Sequence, residues 1–335
     1  MPKISVIMSV YSERVDWIRK SIDSILNQTY SDFEFIIVND KPDKEENAQL
    51  LEEYAARDSR IKVLTNEENI GLTKSLNKAF ALAEGEFIAR MDADDMALPE
   101  RFKIQLEFMN AHPEIIASGG SACIINEKDE VIGRLKMPTD VSIIPYYTLF
   151  TSPLIHPASF FRNGTIRYDE GFRYAQDYAL WTSLIGNGYK LSNVKKPVLK
   201  YRYSDIQISK KHKQEQAECA EKILRHAFDN LKICSTDELI GNWKAINNKQ
   251  QVTNEQLMTL QMFVIKFLND NNNKLSQRGY NYIANRLLLN LILKEDNKNI
   301  INSIRKYFDM RKQVNCSFDT KTFAILCLKK KIIIS

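Results

Sequence analysis

The sequence predicts an α/β fold in which a mostly parallel sheet is flanked by helices and is followed by a C-terminal helical region. Patterns typical of strands and helices alternate through the first part of the chain, and from His212 onward only helical patterns follow one another. The composition is globular, with 44% hydrophobic and 27% charged residues. The 335 residues are therefore enough for one large domain with an appendage, or for two domains.

The first predicted strands are four short apolar segments, and three segments with helical periodicity lie between them. The strands are Ile4–Val10, Phe33–Val38, Ile61–Leu64 and Glu86–Met91, and the helices are Val15–Leu26, Lys44–Ala56 and Leu72–Ala83. Strands joined by helices of this length form right-handed units with parallel strands. Ligands of such sheets bind at the carboxyl ends of the strands, so polar residues there are the first candidates for a functional site.

Further strands and helices are predicted up to a boundary near Ser209–Lys211. The predicted helices are Glu100–Asn110, Val141–Phe150 and Gln176–Ile185, and the predicted strands are Ile115–Ile125, Val131–Leu135, Ala158–Phe161 and Val198–Tyr203. The helices predicted beyond the boundary are His212–Asn230, Asp237–Ile246, Asn254–Leu268, Leu275–Leu293 and Lys298–Phe308. We therefore expect a first domain of residues 1–210 and a helical region of residues 211–335.

Charge and cysteine content argue against several classes of protein. The five scattered cysteines show no paired spacing, which argues against a disulfide framework and a zinc site and suits a reducing cytoplasm. No apolar run reaches the roughly 18 residues of a membrane span, and no signal-peptide pattern is present. The net charge is +5, but residues 296–335 carry nine lysines and arginines against three aspartates. The rest of the chain has no basic excess, which argues against nucleic-acid binding.

Three carboxylates, Asp92, Asp94 and Asp95, directly follow the fourth predicted strand. Like charges this close repel one another unless a cation or hydrogen-bond donors compensate them. Mg²⁺ and Mn²⁺ favour carboxylate oxygens, usually together with the phosphates of a substrate. The run therefore predicts a divalent metal site that holds a diphosphate and neutralises its charge as it leaves. The alternative is a solvated acidic turn that caps the next helix, a role open to Asp95 in particular.

Polar residues also follow the first and second predicted strands. Asp40 ends the second strand, where a carboxylate can bind a nucleotide base or a ribose hydroxyl, and a helix cap or turn is an equally weighted alternative. After the first strand, Tyr11 can stack on a base that Glu13 faces. Asn69 and Gly71 precede the third helix, whose N-terminus suits an anion, although this motif alone is better explained as an ordinary turn.

Taken together and in this order, these motifs resemble the family 2 glycosyltransferases, which have the GT-A fold. The matching segments are Ser9–Tyr11, Ser24–Tyr30, Phe35–Asp40, Asn69–Leu72, Ser75–Asn77, Gly85–Asp95 and Leu98–Phe102. Any one of them is a weak signal, whereas the ordered set is a strong one. The resemblance continues more loosely to about Ser209 and does not cover the helical region.

The resemblance implies an inverting enzyme that moves a sugar from a nucleotide donor, in the first place a UDP-sugar, to a hydroxyl of a glycan or lipid-linked acceptor. It also suggests a role in building a bacterial surface polysaccharide. Asp40 would bind the uracil, Asp92 the ribose or sugar, and Asp94 the Mg²⁺ or Mn²⁺ that faces the diphosphate. Asp92 and Asp95 are further candidate metal ligands. The other donor-binding candidates are Ser9, Tyr11, Glu13, Asn69, Gly71, Asn77, Arg90 and Arg202.

On the acceptor side, Asp177 is the predicted general base, because inverting transfer to a hydroxyl needs one base opposite the leaving group. It stands where the family usually carries an acidic pair, and here Gln176 takes the first position. The alternative for Asp177 is a first-turn aspartate favoured by the helix dipole. Trp181 and His156 are assigned to the acceptor side as well, and a structural histidine is an equally weighted alternative for His156.

The segment around Arg202 resembles a family segment that often has a histidine where Ser204 stands. That histidine is sometimes linked to the metal or the diphosphate, so its absence leaves the third metal contact open. Arg202 remains able to pair with a phosphate. The alternative for this segment is a strand at the edge of the domain followed by a linker.

The C-terminal segment Phe323–Ser335 mixes apolar and cationic side chains, which predicts peripheral contact with an anionic membrane at the cytoplasmic face. A packed terminal helix with a solvated basic end is an equally weighted alternative. Two other functions are also considered. A nucleotidyltransferase would carry a glycine-rich phosphate loop after the first strand, and residues 9–14 contain no glycine. A non-catalytic nucleotide-sugar-binding module would tolerate loss of Asp177.

Overall fold

A computed structural model confirms the predicted α/β fold, with helices packed on a mixed sheet. It describes residues 1–164, 166–204, 213–233, 236–247, 253–294 and 300–317. The predicted boundary near Ser209–Lys211 and the C-terminal segment Phe323–Ser335 lie outside the described residues. None of the helices in the described ranges combines the length and the apolar composition that crossing a membrane requires.

The first half of the sheet follows the predicted alternation within one or two residues at each end. The strands are β1 (Ile4–Val10), β2 (Phe33–Asn39), β3 (Ile61–Thr65) and β4 (Phe87–Asp92), and the helices are α1 (Val15–Leu26), α2 (Glu45–Arg57) and α3 (Leu72–Leu82). Every residue of β1 and β2 is buried, because helices cover both faces of a parallel sheet. This burial explains why these strands appear in the sequence as continuous apolar runs.

The second half differs more from the prediction. Its strands are β5 (Met96–Ala97), β6 (Ile115–Ile125), β7 (Val131–Leu135), β8 (Phe160–Arg162) and β9 (Lys190–Arg202), and its helices are α4 (Arg101–Ala111), α5 (Ile144–Tyr147) and α6 (Gln176–Gly186). The strand predicted at Val198–Tyr203 is the end of the longer β9. Its first part was missed because the exposed Lys195 and Lys196 bulge out before Pro197, where the pairing with β6 shifts register. The two-residue β5 was not predicted.

The strands lie in the order β3-β2-β1-β4-β8-β6-β9-β5, with β7 paired to β6. β1 runs parallel to β2 and β4, and β2 runs parallel to β3, so their carboxyl ends meet at one edge. β5 pairs antiparallel with the end of β9. This pairing carries the end of β9 to the loop that follows β4.

The chain divides into two compact units. The first comprises Met1–Val141 and Thr151–Ile223, and the second comprises Ser142–Phe150 and the chain from Leu224 onward. The short α5 therefore belongs with the C-terminal helices, although the sequence analysis places it in residues 1–210. Only one helical turn forms at the predicted Val141–Phe150 helix, and Pro145 sits in that turn, where its missing N–H costs no helical hydrogen bond.

The second unit is helical. Its described helices are α7 (Lys213–Asn230, of which Leu224 onward belongs here), α8 (Asp237–Asn247), α9 (Asn254–Asn271), α10 (Gln277–Lys294) and α11 (Ile300–Gln313). An aromatic cluster packs its centre, where the rings of Phe228 and Phe263 lie 5.7 and 5.9 Å from Trp243. The Trp243 indole N–H donates to the Leu149 carbonyl at 2.7 Å, which ties the α5 segment to this unit.

Candidate active site

The carboxyl ends of β1, β2 and β4 bring the predicted donor residues to one edge of the sheet. Ser9 pairs with Asp92 across β1 and β4, and Asp40 directly follows β2. The Ser21 hydroxyl of α1 donates to the Asp92 carbonyl at 2.8 Å, which holds the end of β4 against α1. The acidic run thus begins at a fixed point of the sheet, as the sequence predicts.

The three carboxylates of the run converge, since one oxygen of each of Asp92, Asp94 and Asp95 lies within 4.8 Å of the others. Burial, together with the charges of Asp92 and Glu13, raises the pKa of Asp94 to about 7. Burial also raises the pKa of Asp95, with the charges of Asp94 and Asp92 as added causes. The cluster therefore carries more negative charge than its own surroundings balance.

Arg90 supplies the buried positive charge of the site. Its guanidinium, 1% exposed, forms a two-pronged ion pair with Asp92, with Nη1 2.6 Å from Oδ2 and Nη2 2.5 Å from Oδ1. Arg90 was predicted to bind the donor. Its guanidinium lies on the carboxylate of Asp92, and its role toward a donor stays a prediction.

Arg202 holds the other two residues of the run, Asp95 through its carboxylate and Asp94 through its backbone carbonyl. Its backbone N–H donates to Asp95 Oδ1 at 2.7 Å, and its Nε donates to the Asp94 carbonyl at 2.7 Å. The remaining guanidinium nitrogens reach the Asn126 carbonyl at 2.9 Å and the Asp129 carboxylate at 2.6 Å, in the turn between β6 and β7. These contacts occupy the fully buried guanidinium, which the sequence analysis assigns to a phosphate.

The acidic run has oxygens left for a divalent ion. Asp95 Oδ2 is buried and accepts no hydrogen bond from the described residues. The Asp94 carboxylate is half-buried and crowded by like charge, which a cation would relieve. An all-oxygen donor set suits Mg²⁺ or Mn²⁺. The residues present therefore fit the predicted metal.

Asp40 closes the loop that leads into α3. Its Oδ1 accepts from Asn66 Nδ2 at 2.8 Å and from the Ile70 amide at 2.9 Å, and its Oδ2 accepts from the Gly71 amide at 2.9 Å. Gly71 has a φ of +87°, a left-handed conformation that glycine adopts without strain. Each carboxylate oxygen accepts about two hydrogen bonds, so Oδ2 keeps one acceptor position.

The neighbouring donor candidates have structural partners too. The Tyr11 amide donates to Glu13 Oε2 at 2.7 Å, and burial, with the charge of Asp92 as a smaller cause, raises the pKa of Glu13. Asn77 donates to the Tyr168 carbonyl and accepts from the Tyr168 amide, both at 2.9 Å. Asn69 is exposed, and its Oδ1 accepts from the Gly71 amide at 3.0 Å. Asn77 therefore anchors the segment around Tyr168. Tyr11 and Glu13 lie just after the carboxyl end of β1.

Asp177 stands in the first turn of α6, two residues after the strained Ala175. Ala175 has a φ of +56°, which is uncommon for a residue with a side chain and is often found at functional sites. Burial raises the pKa of Asp177, while hydrogen bonds from the Tyr178 amide and the Ser152 hydroxyl and the charge of Arg90 lower it. Because Arg90 also pairs with Asp92, the structure brings the predicted base and the acidic run to the same buried cation.

His156 is fixed as a neutral imidazole next to this cation. Its Nε2 lies 2.6 Å from the Tyr168 hydroxyl, and burial and the nearby charge of Arg90 hold its pKa well below the usual range. Burial raises the pKa of Tyr168. Both His156 and Tyr168 are therefore uncharged near neutral pH, and each can donate or accept a hydrogen bond.

The structure does not bring Trp181 to the acceptor side. Its side chain is fully buried and stacks on Phe161, with the ring centroids 5.5 Å apart. A fully buried indole offers no surface to an acceptor, so Trp181 belongs to the core beneath the site. Gln176 precedes Asp177 as the first residue of α6, and its side chain is half-buried.

Tyr201, at the end of β9, is a site residue to which the sequence analysis gave no role. Burial raises its pKa, and the charges of Asp95, Asp92, Asp94 and Asp177 raise it further. It thus lies near both the acidic run and the predicted base. Only the pairing of β9 with β5 reveals this position, and no local sequence signal marks it.

Comparisons with known proteins identify the family of this chain. The profile of Glycosyl transferase family 2 matches residues 5–173, half of the chain. An uncharacterised glycosyltransferase of Methanocaldococcus jannaschii is 35% identical over 206 residues, which cover 60% of this chain and 71% of the relative. The O-antigen biosynthesis glycosyltransferase WbnJ of Escherichia coli is 37% identical over 238 residues, which cover 66% of this chain and 87% of the relative.

Solved structures show the same fold at low sequence identity. S. aureus TarS, residues 1–349 in complex with UDP-GlcNAc, matches with a TM-score of 0.55 at 17% identity and covers 93% of this chain and 90% of that chain. At this identity the likeness supports the fold alone, which is of the GT-A type. From the family profile and the relatives, the chain belongs to glycosyltransferase family 2 and is a glycosyltransferase.

Proposed function

We propose that this enzyme transfers a sugar from a UDP-sugar to a hydroxyl of a glycan or lipid-linked acceptor, with inversion at the anomeric carbon. The observation that carries the proposal is the position of Asp177. This carboxylate lies within the field of Arg90, the same buried cation that holds Asp92 of the acidic run. A single carboxylate opposite a metal and diphosphate site is the arrangement that direct displacement needs.

In the proposed reaction, Asp177 accepts the proton of the acceptor hydroxyl while the acceptor oxygen attacks the anomeric carbon. The new carbon–oxygen bond forms as the bond from that carbon to the β-phosphate oxygen breaks. The electron pair of the broken bond leaves with UDP. Because burial raises the pKa of Asp177, the carboxylate is a stronger base than an exposed aspartate, and this favours the proton transfer.

Asp94 and Asp95 Oδ2 would hold the divalent ion, with Asp92 beside them as the contact to the ribose or sugar. A bound Mg²⁺ or Mn²⁺ supplies charge neutralisation for the diphosphate. Arg202 keeps the run in place from behind. In this proposal Arg202 is a support for the metal ligands rather than a phosphate ligand.

The uracil is assigned to Asp40. The open acceptor position on its Oδ2 suits the N–H donor of a uracil ring. The half-buried Tyr11 directly follows Val10, whose carbonyl accepts from the Asp40 amide at 2.8 Å. The GT-A relative TarS was solved with UDP-GlcNAc and with UDP, which supports a uridine nucleotide as the donor. The donor sugar is left open.

For the biological role we propose surface-polysaccharide synthesis at the cytoplasmic face of a membrane. Relatives are named for O-antigen and amylovoran biosynthesis, which supports a growing polysaccharide as the product. Peripheral membrane contact is assigned to the apolar and cationic segment Phe323–Ser335. Deleting this segment should weaken binding of the chain to anionic vesicles, and unchanged partition would contradict the membrane assignment.

The test is a UDP-release assay with Mn²⁺, a panel of UDP-sugars and a lipid-linked acceptor. Asp177→Asn should lower the transfer rate by about 10²–10⁴-fold and leave donor affinity within twofold, because only the base is removed. Asp94→Ala should lose Mn²⁺-dependent turnover. The matched control is Asp237→Asn, since Asp237 is also a first-turn aspartate but lies in α8 of the other unit with an exposed side chain.

Full transfer by Asp177→Asn would refute the assignment of the base. UDP binding without release from any donor, by the wild-type enzyme with a competent acceptor, would favour a non-catalytic binding module. A product without inversion at the anomeric carbon, measured by NMR, would refute the direct displacement.

A further inference from the structure

Tyr201 occupies a position that the proposed reaction does not yet use. In the antiparallel pairing of β9 with β5, Lys200 lies opposite Met96, so Tyr201 is carried to the acidic run beside Asp95. The next residue, Arg202, donates its backbone N–H to Asp95. The backbone of Tyr201 is therefore as firmly placed as the metal ligands themselves.

The Tyr201 ring is anchored and its hydroxyl is not. The half-buried ring packs against the main hydrophobic cluster of the sheet unit. Among the hydrogen bonds that the described residues form, none involves the Tyr201 hydroxyl. A buried or half-buried tyrosine usually pairs its hydroxyl, as Tyr54 does with Asp23 at 2.6 Å and Tyr168 does with His156 at 2.6 Å. The Tyr201 hydroxyl is thus a donor that the protein leaves for something else.

The strand pairing places that donor at the acidic run, since Tyr201 follows Lys200 opposite Met96 and precedes Arg202, which binds Asp95. The charges of the three run carboxylates act on the phenol, and so does the charge of Asp177 on α6. A tyrosine with its ordinary pKa of about 10 keeps its proton at neutral pH. The group therefore lies between the metal side and the base side of the site, as a neutral hydrogen-bond donor.

We propose that the Tyr201 hydroxyl donates a hydrogen bond to the transferred sugar of the bound sugar nucleotide. The inference rests on the proposed function. In a displacement, the diphosphate lies at the acidic run and the attacking hydroxyl lies at Asp177, so the sugar ring occupies the space between them. A sugar ring carries several oxygens that accept hydrogen bonds, and Tyr201 is the donor placed in that space.

The experiment compares Tyr201→Phe with the wild-type enzyme for binding of UDP and of UDP-sugars in Mn²⁺, by calorimetry. Loss of one uncharged hydrogen bond should weaken the preferred UDP-sugar about 3- to 10-fold, while UDP itself binds within twofold of wild type. The melting temperature should stay unchanged, because the phenyl ring keeps the packing. Tyr189→Phe, at an exposed tyrosine that precedes β9, is the matched control and should change neither affinity.

Equal weakening of UDP and UDP-sugar would place the hydroxyl on the diphosphate side and overturn the proposal. Unchanged binding of every UDP-sugar in the panel would overturn it as well. Failure of the proposed function looks different, because the wild-type enzyme would then bind neither UDP nor any UDP-sugar, and the inference would fall with it. A selective loss that varies with the sugar and spares UDP is the result expected.

Discussion

The donor side and the base side of the site are built in different ways. On the donor side, carboxylates accept backbone amides, as Asp40 does from Ile70 and Gly71 and Asp95 does from Arg202. On the base side, Asp177 lies in the first turn of α6, two residues after the strained Ala175. Its carboxylate accepts from the Tyr178 amide and from the Ser152 hydroxyl. The donor side is therefore built on strand ends, whereas the base side depends on a helix start and on a side chain from a loop.

The difference follows from what each side does in the proposed reaction. A nucleotide diphosphate is common to many donors, so a rigid cradle at the strand ends serves all of them. The acceptor differs from one enzyme to another, and loops are the elements that change most easily without disturbing a sheet. The base stands at the start of α6, directly next to the loop that precedes this helix and that can vary.

Among the residues that support the site rather than react in it, the largest effect is expected at Arg202 on the donor side. Arg202→Met should lower the apparent Mn²⁺ affinity about 10- to 100-fold, because supporting groups behind metal ligands contribute on this scale. It should also lower the melting temperature, because Asp129 would lose its buried ion pair with Arg202 and keep the partly exposed ion pair with Lys20. The measurements are Mn²⁺ titration calorimetry and thermal unfolding.

Arg14→Met is the matched control for Arg202→Met. Both guanidiniums lie over the Trp17 ring, at 5.0 Å for Arg14 and 4.7 Å for Arg202, but Arg14 is exposed. Its loss should leave Mn²⁺ affinity unchanged. A stability loss in Arg202→Met without any loss of Mn²⁺ affinity would show that the residue does not support the acidic run.

A second prediction concerns the competition between a metal ion and a proton for the Asp94 carboxylate. With a pKa of about 7, Asp94 is largely protonated at pH 6 and largely ionised at pH 8. Mn²⁺ needs the ionised form, so its affinity should fall about tenfold from pH 8 to pH 6. Mn²⁺ titrations at both pH values measure this, and a pH-independent affinity would contradict the crowding of charge at the run.

The same residue gives a stability test without metal. Its pKa of about 7 in the folded protein lies above its ordinary value of 3.8, so the associated stability is present below pH 3.8 and is lost as the pH rises through 7. Asp94→Asn should therefore raise the melting temperature of the metal-free protein at pH 8. The difference in melting temperature between Asp94→Asn and the wild-type protein should be smaller at pH 5, where Asp94 is already neutral in the folded state.

The two sides also differ in how far the sequence predicted them. The strand ends, the acidic run and Asp40 were predicted correctly in position, because buried parallel strands are continuous apolar runs with polar residues at their ends. The roles given to these residues remain predictions. Tyr201 and Ser152 were missed, since a strand pairing and a loop conformation bring them to the site. Trp181, predicted on the acceptor side, has a fully buried side chain, because the helical period of α6 does not say which side of the helix the core covers.

The smallest effect should come from Ser152, on the variable side. Its hydroxyl lowers the pKa of Asp177, which burial raises, and it also lies 2.9 Å from the Leu154 carbonyl. The base must be ionised, so activity rises with pH through the pKa of Asp177. Ser152→Ala removes a hydrogen bond that favours the ionised form and should move the acid limb of kcat/KM upward by about half a pH unit.

Well below the pKa of Asp177 such a shift corresponds to a loss of about threefold in rate, and on the alkaline side of the limb the loss should vanish. Ser183→Ala, at an exposed serine of α6, should leave the limb in place. A loss by Ser152→Ala that is equal at every pH would mean that the serine positions the loop instead of tuning the base. Ser152 would then hold the geometry of the base side, as the hydrogen bonds of Asp40 and Asp95 hold that of the donor side. The two sides would differ only in the secondary-structure elements that carry them.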